Sequence, residues 1–160
     1  MTLAQVASGF GSPSKAAADL RFAAFERGVD RTISGTPRGE TSAIFVNERL
    51  YQFGSAVDAA QWFISVADGA QPILGNDITS RTRVRADGGA FVILRRGLYP
   101  GGYHVGHAVA LEGDMVVTVI LYSKPALTVA AVSDQLTRCE QAAGRGITRP
   151  VPTALPTSLP

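Results

Sequence analysis

The chain has 160 residues, of which 46% are hydrophobic and 18% are charged. A chain of this length can form one domain that buries roughly two thirds of its unfolded surface, and its composition is too apolar for a disordered protein. The 15 Lys and Arg residues nearly balance the 13 Asp and Glu residues, so the formal net charge is only +2. The arginines are spread among the acids, which does not favour a nucleic acid as the partner. Cys139 is the only cysteine, so neither an intramolecular disulfide nor a multi-cysteine metal site can form.

The N-terminal segment lacks the basic start and the continuous apolar run of a signal peptide. No stretch approaches the roughly 18 apolar residues of a transmembrane helix. On these grounds the chain is cytoplasmic, or it is a domain excised from a longer exported protein. We predict that residues 1–11 are a flexible N-terminus and that residues 12–143 form a single domain.

The first predicted helix begins at Ser12 as N-cap with Pro13 at the first helical position, and it ends at Gly28. Residues 29–41 carry Gly, Pro, Thr and Arg without periodicity, which is typical of a connection. A strand is predicted over residues 42–53, where aromatic and aliphatic residues supply inward side chains.

A second helix is predicted from Ser55, with Asp58 three residues further on, close to the pattern of a capping box. Gly69 and Pro72 bound this helix, and a turn is predicted at residues 75–77. Its inward stripe consists of Ala56, Ala59, Ala60, Phe63, Val66 and Ala67.

Two hairpins then form a β-meander from about Thr79 to Tyr122, with turns at Asp87-Gly88 and Gly113-Asp114. The paired segments are 81–86 with 89–96, and 103–112 with 115–122. A final helix is predicted from near Pro125 to Gly144, and residues 144–160 form a proline-rich, extended and mobile tail. The apolar stripe of that helix is Val129, Val132, Leu136, Cys139 and Ala143.

The sequence therefore predicts an α+β domain, in which an antiparallel meander of about five strands is packed on one face by two to three helices. A two-residue turn at Gly113-Asp114 places small residues of one strand opposite branched residues of the next. Small residues let a helix approach closely, so we expect the second and final helices to pack on that face. The small-to-branched pairs are Ala110 with Val117, Ala108 with Val119, and Gly106 with Leu121.

The opposite face of the meander is too apolar to lie in water. It carries Tyr103, Val105, His107, Val109 and Leu111 on one strand and Val116, Thr118, Ile120 and Tyr122 on the other. Three covers are open: the N-terminal helix or a segment flanking the first strand, a ligand in a cleft, or a second copy of the chain.

Candidate chemical groups are few. His104 and His107 are three apart in a strand, so they point to opposite faces and cannot share a metal. His107 could orient a ligand or act as a base, or it is a hydrogen-bonded structural residue. Arginines occupy every second position in the first strand of the meander, which places three guanidiniums on one face of that strand. They form either a solvated edge of the sheet or an anion-binding stripe. These are Arg81, Arg83 and Arg85.

The sequence offers no catalytic motif. The glycine-rich stretches are hairpin turns without the context of a phosphate-binding loop. Cys139 lies on the inner stripe of the final helix, where a cysteine is ordinarily a small core residue. An enzyme would need titratable groups that converge in a pocket, and only His107 with Asp77 or Glu112 is available.

Two stretches carry a resemblance to a known family. They are Asp-Leu-Arg with Phe-Glu-Arg-Gly-Val-Asp-Arg-Thr within residues 19–32, and Arg-Leu-Tyr-Gln-Phe-Gly-Ser-Ala-Val-Asp-Ala-Ala-Gln-Trp-Phe at residues 49–63. Followed by hairpins and a last strand before a long helix, this order resembles actinobacterial cell-envelope lipoproteins and the extracellular sensor domain of PknH-like kinases. The resemblance implies a helix-backed antiparallel sheet with an open cleft that binds an extracellular ligand without catalysis.

We therefore expect a non-catalytic ligand-binding or sensor-type domain of the cell envelope, with no cofactor, that binds a small or lipid-like molecule. The expected site, here called the predicted ligand face, consists of Tyr103, His107, Thr118, Ile120 and Tyr122 on the open side of the sheet. The alternative is an interaction or assembly module that forms a homodimer or larger homo-oligomer through the same face.

Overall fold

The computed structural model describes residues 1–10, 12–34, 43–68, 78–87 and 89–144. Its helices are α1 (Leu3–Ala7), α2 (Pro13–Phe22), α3 (Ala56–Asp68) and α4 (Val129–Gly144). Its strands are β1 (Phe25–Ser34), β2 (Ala43–Phe53), β3 (Ile78–Arg83), β4 (Ala90–Arg95), β5 (His104–Glu112) and β6 (Met115–Ser123). All strand pairs are antiparallel, in the order β1-β2-β6-β5-β4-β3. The predicted α+β class is confirmed, with six strands in place of about five.

Helices cover both faces of the sheet, so they are not confined to one face. Of the three covers left open for the second face, the N-terminal helix is found there, together with α1 and α3. Among the described helices, only α4 packs on the small-residue face, where Val132 and Leu136 join the cluster that contains Ala108 and Val119. Helices α1, α2 and α3 pack on the opposite face. There Phe63 of α3 lies 5.5 Å, centroid to centroid, from Phe91. The expectation that α3 shares a face with α4 is wrong, because the large rings of α3 pack against the aromatic residues of the other face.

The β5–β6 register is the predicted one, with Glu112 opposite Met115 and Gly106 opposite Leu121. Gly113 in the turn has φ +60°, a conformation that an L side chain rarely adopts. A Cβ added to Gly106 would lie 2.6 Å from Cγ2 of Val132. The row of small residues therefore sets how closely α4 approaches the sheet.

The predicted N-terminal elements need three corrections. Helix α2 ends at Phe22, because Ala24 takes a left-handed φ of +47° and turns the chain. Strand β1 occupies residues 29–34 of the predicted connection at 29–41, since it pairs with β2 along nine residue pairs. The predicted loose segment 1–11 contains α1, whose Val6 is buried against α2 and the sheet.

Side-chain hydroxyl groups cap the N-terminal ends of the two longest helices, α3 and α4. Ser55 Oγ accepts a hydrogen bond from the Asp58 amide at 3.2 Å and begins α3 as predicted. Helix α4 begins after Thr128, whose Oγ1 accepts from the Ala131 amide at 3.1 Å, and not at Pro125. The predicted boundary at 69–72, the turn at 75–77 and the tail at 145–160 lie outside the described residues. Among the described helices, none has the length and apolar character needed to cross a membrane.

Candidate functional site

The predicted ligand face is a single surface of β5 and β6, as the pairs Val105–Tyr122 and His107–Ile120 require. It is not an open surface. Four of its residues are buried, with exposed fractions of 2% for His107, 4% for Thr118, 7% for Ile120 and 5% for Tyr122. Tyr103 is half-buried. The open cleft predicted here is therefore closed in this structure, and the side chains needed for a homodimer through this face are inside the chain.

Aromatic rings fill one end of the predicted ligand face. Tyr122 stacks on Phe45 at 4.0 Å and meets the edge of Tyr99 at 5.4 Å. Tyr103 packs against Phe45 at 6.3 Å and carries the Lys124 ammonium 4.1 Å from its ring centre. Burial raises the pKa of Tyr122 to about 12, with a smaller contribution from Tyr99. This end is a packed hydrophobic cluster with a neutral phenol.

A polar network occupies the middle of the same face. Arg49 pairs with Asp30 at 3.1 Å and hydrogen-bonds to Tyr51, which also bonds to Thr118. No described residue hydrogen-bonds to Nδ1 of His107, although this atom is fully buried. Burial, with a smaller effect of the Arg49 charge, lowers the pKa of His107 to about 4. The imidazole is therefore neutral at pH 7 and is a weak base.

The three arginines of the predicted anion stripe do not share a face. The guanidiniums of Arg81 and Arg83 lie 4.7 Å and 5.7 Å from the ring centre of Phe91. Arg85 lies beyond the end of β3 and pairs with Glu112 and, at 2.7 Å, with Glu140 of α4. Strand alternation does not extend to Arg85, and two carboxylates hold it on the α4 side of the sheet.

The two histidines of β5 lie on opposite faces of the strand, as their spacing of three residues predicts. His104 and His107 alternate across β5 in register with Ser123 and Ile120. Within the described ranges, no group of three His, Cys, Asp or Glu side chains is placed to hold a metal ion.

A groove that the sequence did not reveal lies on the opposite side of the sheet, between α4 and the β1–β2 pair. It encloses about 410 Å³, which lies within the roughly 300–1,000 Å³ of small-molecule sites. Its lining consists of Arg27, Gly28, Val29, Arg31, Glu48, Arg49, Leu50, Gln52, Cys139, Ala142 and Ala143. We call it the α4 groove.

The α4 groove exists because the sheet is wider than the helix that covers it. Helix α4 packs mainly on β4, β5 and β6, so the edge strand β1 and its neighbour β2 extend beyond it. Val29 pairs with Leu50 on the floor and is 58% exposed. Cys139, Ala142 and Ala143 form the helical wall. The result is an apolar slot with one side open to solvent.

The polar residues that line the α4 groove belong to β1 and β2. The Glu48 carboxylate, only 6% exposed, accepts from Arg31 Nε at 2.8 Å and from Gln135 Nε2 at 3.0 Å. Arg27 Nε donates to the amide oxygen of Gln52 at 2.7 Å. Burial, followed by the charge of Glu48, raises the pKa of the Cys139 thiol to about 12. The thiol is therefore protonated at neutral pH and is a poor nucleophile.

Comparison with known proteins supports the fold. No protein-family model and no curated protein matches the chain. Among solved structures, the extracellular domain of PknH from Mycobacterium tuberculosis matches with a TM-score of 0.59 and 11% identity. The match covers 87% of this chain and 73% of that domain. The resemblance predicted from the sequence is thus confirmed at the level of the fold.

Proposed function

We propose that this chain is a non-catalytic, sensor-type ligand-binding domain of the bacterial cell envelope, and that it holds a small or lipid-like molecule in the α4 groove. The observation that carries the proposal is the groove itself, a preformed apolar slot of about 410 Å³ at the side of a long helix. The likeness to an extracellular domain supports an extracytoplasmic location.

The physical argument for binding is the exposed apolar floor. Val29 is 58% exposed on the same strand face as Ile33, which is 41% exposed. A hydrocarbon chain laid between β1 and α4 would remove Val29, Leu50 and Ala142 from water, and each buried methylene of the ligand is worth about 0.8 kcal/mol. Val29 and Ala142 are both exposed on the lining, so such a ligand can reach the groove from solvent.

The argument against chemistry in the groove is the state of its polar groups. Cys139 is protonated at neutral pH, since its pKa is raised to about 12. Glu48 is already bonded to Arg31 and Gln135. The buried imidazole of His107 lies on the other face of the sheet and cannot act with either group. The groove therefore suits binding better than catalysis.

A bulky side chain in the groove tests the proposal. Ala142 is exposed and lines the groove, so Ala142→Trp should fill it and leave the core intact. Ala130 is also exposed on α4 but does not line the groove, and Ala130→Trp is the matched control. The probe is 1-decanol, measured by the rise in Tm and by displacement of N-phenyl-1-naphthylamine fluorescence.

We expect 1-decanol to stabilise the native chain and Ala130→Trp equally and to have no effect on Ala142→Trp. The alternative location of the binding site is the predicted ligand face of Tyr103, His107, Thr118, Ile120 and Tyr122. The helices that cover this face would have to move before a ligand could bind there. The variants His107→Ala and Tyr122→Ala test whether the ligand binds at that face. Loss of stabilisation in these two folded variants, with Ala142→Trp unaffected, would move the site to that face.

A further inference from the structure

We infer that the ligand of the α4 groove is a single-chain amphiphile with an anionic headgroup, a carboxylate or a phosphate monoester, and that Arg27 is its main partner. This inference rests on the proposed function and adds the charge of the ligand to it. It starts from the different states of the two arginines that flank Val29 on β1.

Arg31 is largely neutralised by its surroundings. Its Nε and Nη2 both donate to Oε2 of Glu48, and Glu48 is fixed from the other side by Gln135. The Nη1 group of Arg31 has no acceptor among the described residues, and the side chain is 58% exposed. A guanidinium has five N–H donors, so Arg31 can support an anion without leaving Glu48.

Arg27 is the groove's uncompensated cation. Its one hydrogen bond within the described part of the chain goes to the neutral amide of Gln52, which itself donates to Asp114 at 3.3 Å. Asp114 is not among the residues that line the groove. Among the described residues neither Nη group of Arg27 has an acceptor, so both can bind a ligand, in the planar arrangement that carboxylates and phosphates bind in pairs of hydrogen bonds.

The positions of these cations suit an amphiphile. Arg27 and Arg31 lie on the same strand face with Val29 between them, about 13 Å apart along the strand by its rise per residue. The apolar wall of Ala142 and Ala143 faces this strand. A hydrocarbon chain along Val29 and Leu50 would bring a headgroup at its end beside Arg27, at the rim where water is accessible.

The test compares ligands that share a ten-carbon chain and differ in the headgroup. They are decanoate, decyl phosphate, 1-decanol and decyltrimethylammonium, each measured below its micelle-forming concentration by displacement of N-phenyl-1-naphthylamine. We expect the two anions to bind about tenfold tighter than 1-decanol, as one charge-assisted hydrogen bond allows, and the cation to bind most weakly. A preference between the two anions identifies the source of the headgroup.

Arg27→Gln should reduce the affinity for both anions to that for 1-decanol and leave the 1-decanol affinity unchanged, whereas Arg27→Lys should keep part of the preference. Arg21→Gln, at an exposed arginine of α2 outside the groove, should bind all four ligands like the native chain. Raising the salt concentration should weaken only the anions.

Two failures are distinguishable. Equal affinity for all four headgroups, with 1-decanol binding still abolished by Ala142→Trp, overturns the anionic ligand and leaves the proposed function standing. Absence of binding by any ten-carbon ligand, or binding that Ala142→Trp does not alter, overturns the proposed function and this inference together.

Discussion

Protonation of His107 should make the fold acid-sensitive. The imidazole is buried beside Arg49, and its pKa is about 4 in the folded chain against an ordinary 6.5. The unfolded chain therefore binds a proton near pH 6.5, while the folded chain resists it until about pH 4. Stability from this residue is complete above pH 6.5 and falls as the pH is lowered toward 4. Each pKa unit is worth about 1.4 kcal/mol, so the whole loss is about 3 kcal/mol.

The assay is urea unfolding at several pH values between 7.5 and 4, for the native chain, His107→Gln and the control His104→Gln. Gln cannot take up a proton, so the free energy of unfolding of His107→Gln should lose this part of its pH dependence. The gap between the native chain and His107→Gln should change by about 3 kcal/mol across the window. Parallel pH profiles for the native chain and His107→Gln would refute the argument, as would loss of the slope in His104→Gln.

Three further predictions concern packing, capping and reactivity. Gly106→Ala should lower the free energy of unfolding by about 1–3 kcal/mol in urea titrations, because the new Cβ meets Val132 at 2.6 Å. Adding Val132→Ala should not deepen that loss by the full cost of a buried valine, and additive losses would contradict the close contact. Ser55→Ala should cost about 1 kcal/mol through loss of the α3 cap, and no change in the urea midpoint would contradict it. Cys139 should react with iodoacetamide at pH 8 at least about tenfold more slowly in the folded chain than in urea, and equal rates would contradict its burial.

The β5–β6 hairpin could be predicted in detail because its information is local. The β3–β4 pairs Thr82–Val92 and Arg83–Phe91 lie one residue away from the register that a two-residue turn at Asp87-Gly88 predicts. Gly113-Asp114 specifies a tight turn, and a tight turn fixes the pairing of every residue along β5 and β6. The pairing of small with branched residues, as in Ala108 with Val119, correctly predicted the sheet face on which α4 packs. The α3 cap at Ser55 is local in the same way.

Strand β1 could not be predicted because its own sequence carries little strand signal. Arg27, Val29, Arg31 and Ile33 alternate charged with apolar side chains on one face, and Gly28 lies between them. What makes the segment a strand is the backbone ladder that β2 offers it, as in the pair Val29–Leu50. A tertiary partner decides such a segment, and sequence periodicity does not show the partner.

The site could be predicted only in part for the same reason. The alternation of side chains along β5 and β6 correctly placed His107, Ile120 and Tyr122 on one surface. Their burial depends on how helices distant in sequence pack, and three helices cover that side of the sheet. The α4 groove is formed by β1, which the sequence did not reveal, and by the width of the sheet relative to α4. Neither the presence of β1 nor the width of the sheet can be inferred from the residues near Ala142 or Leu50 in the sequence.

The central claim is that the ligand lies between β1, β2 and α4, and methyl NMR during a decanoate titration tests it most directly. The methyl groups of Val29, Leu50 and Ala142 line the groove, so their signals should shift with the ligand. Those of Val105 and Ile120, in the aromatic cluster on the opposite face, should not. Shifts confined to Val105 and Ile120, with Val29, Leu50 and Ala142 unchanged, would contradict the claim.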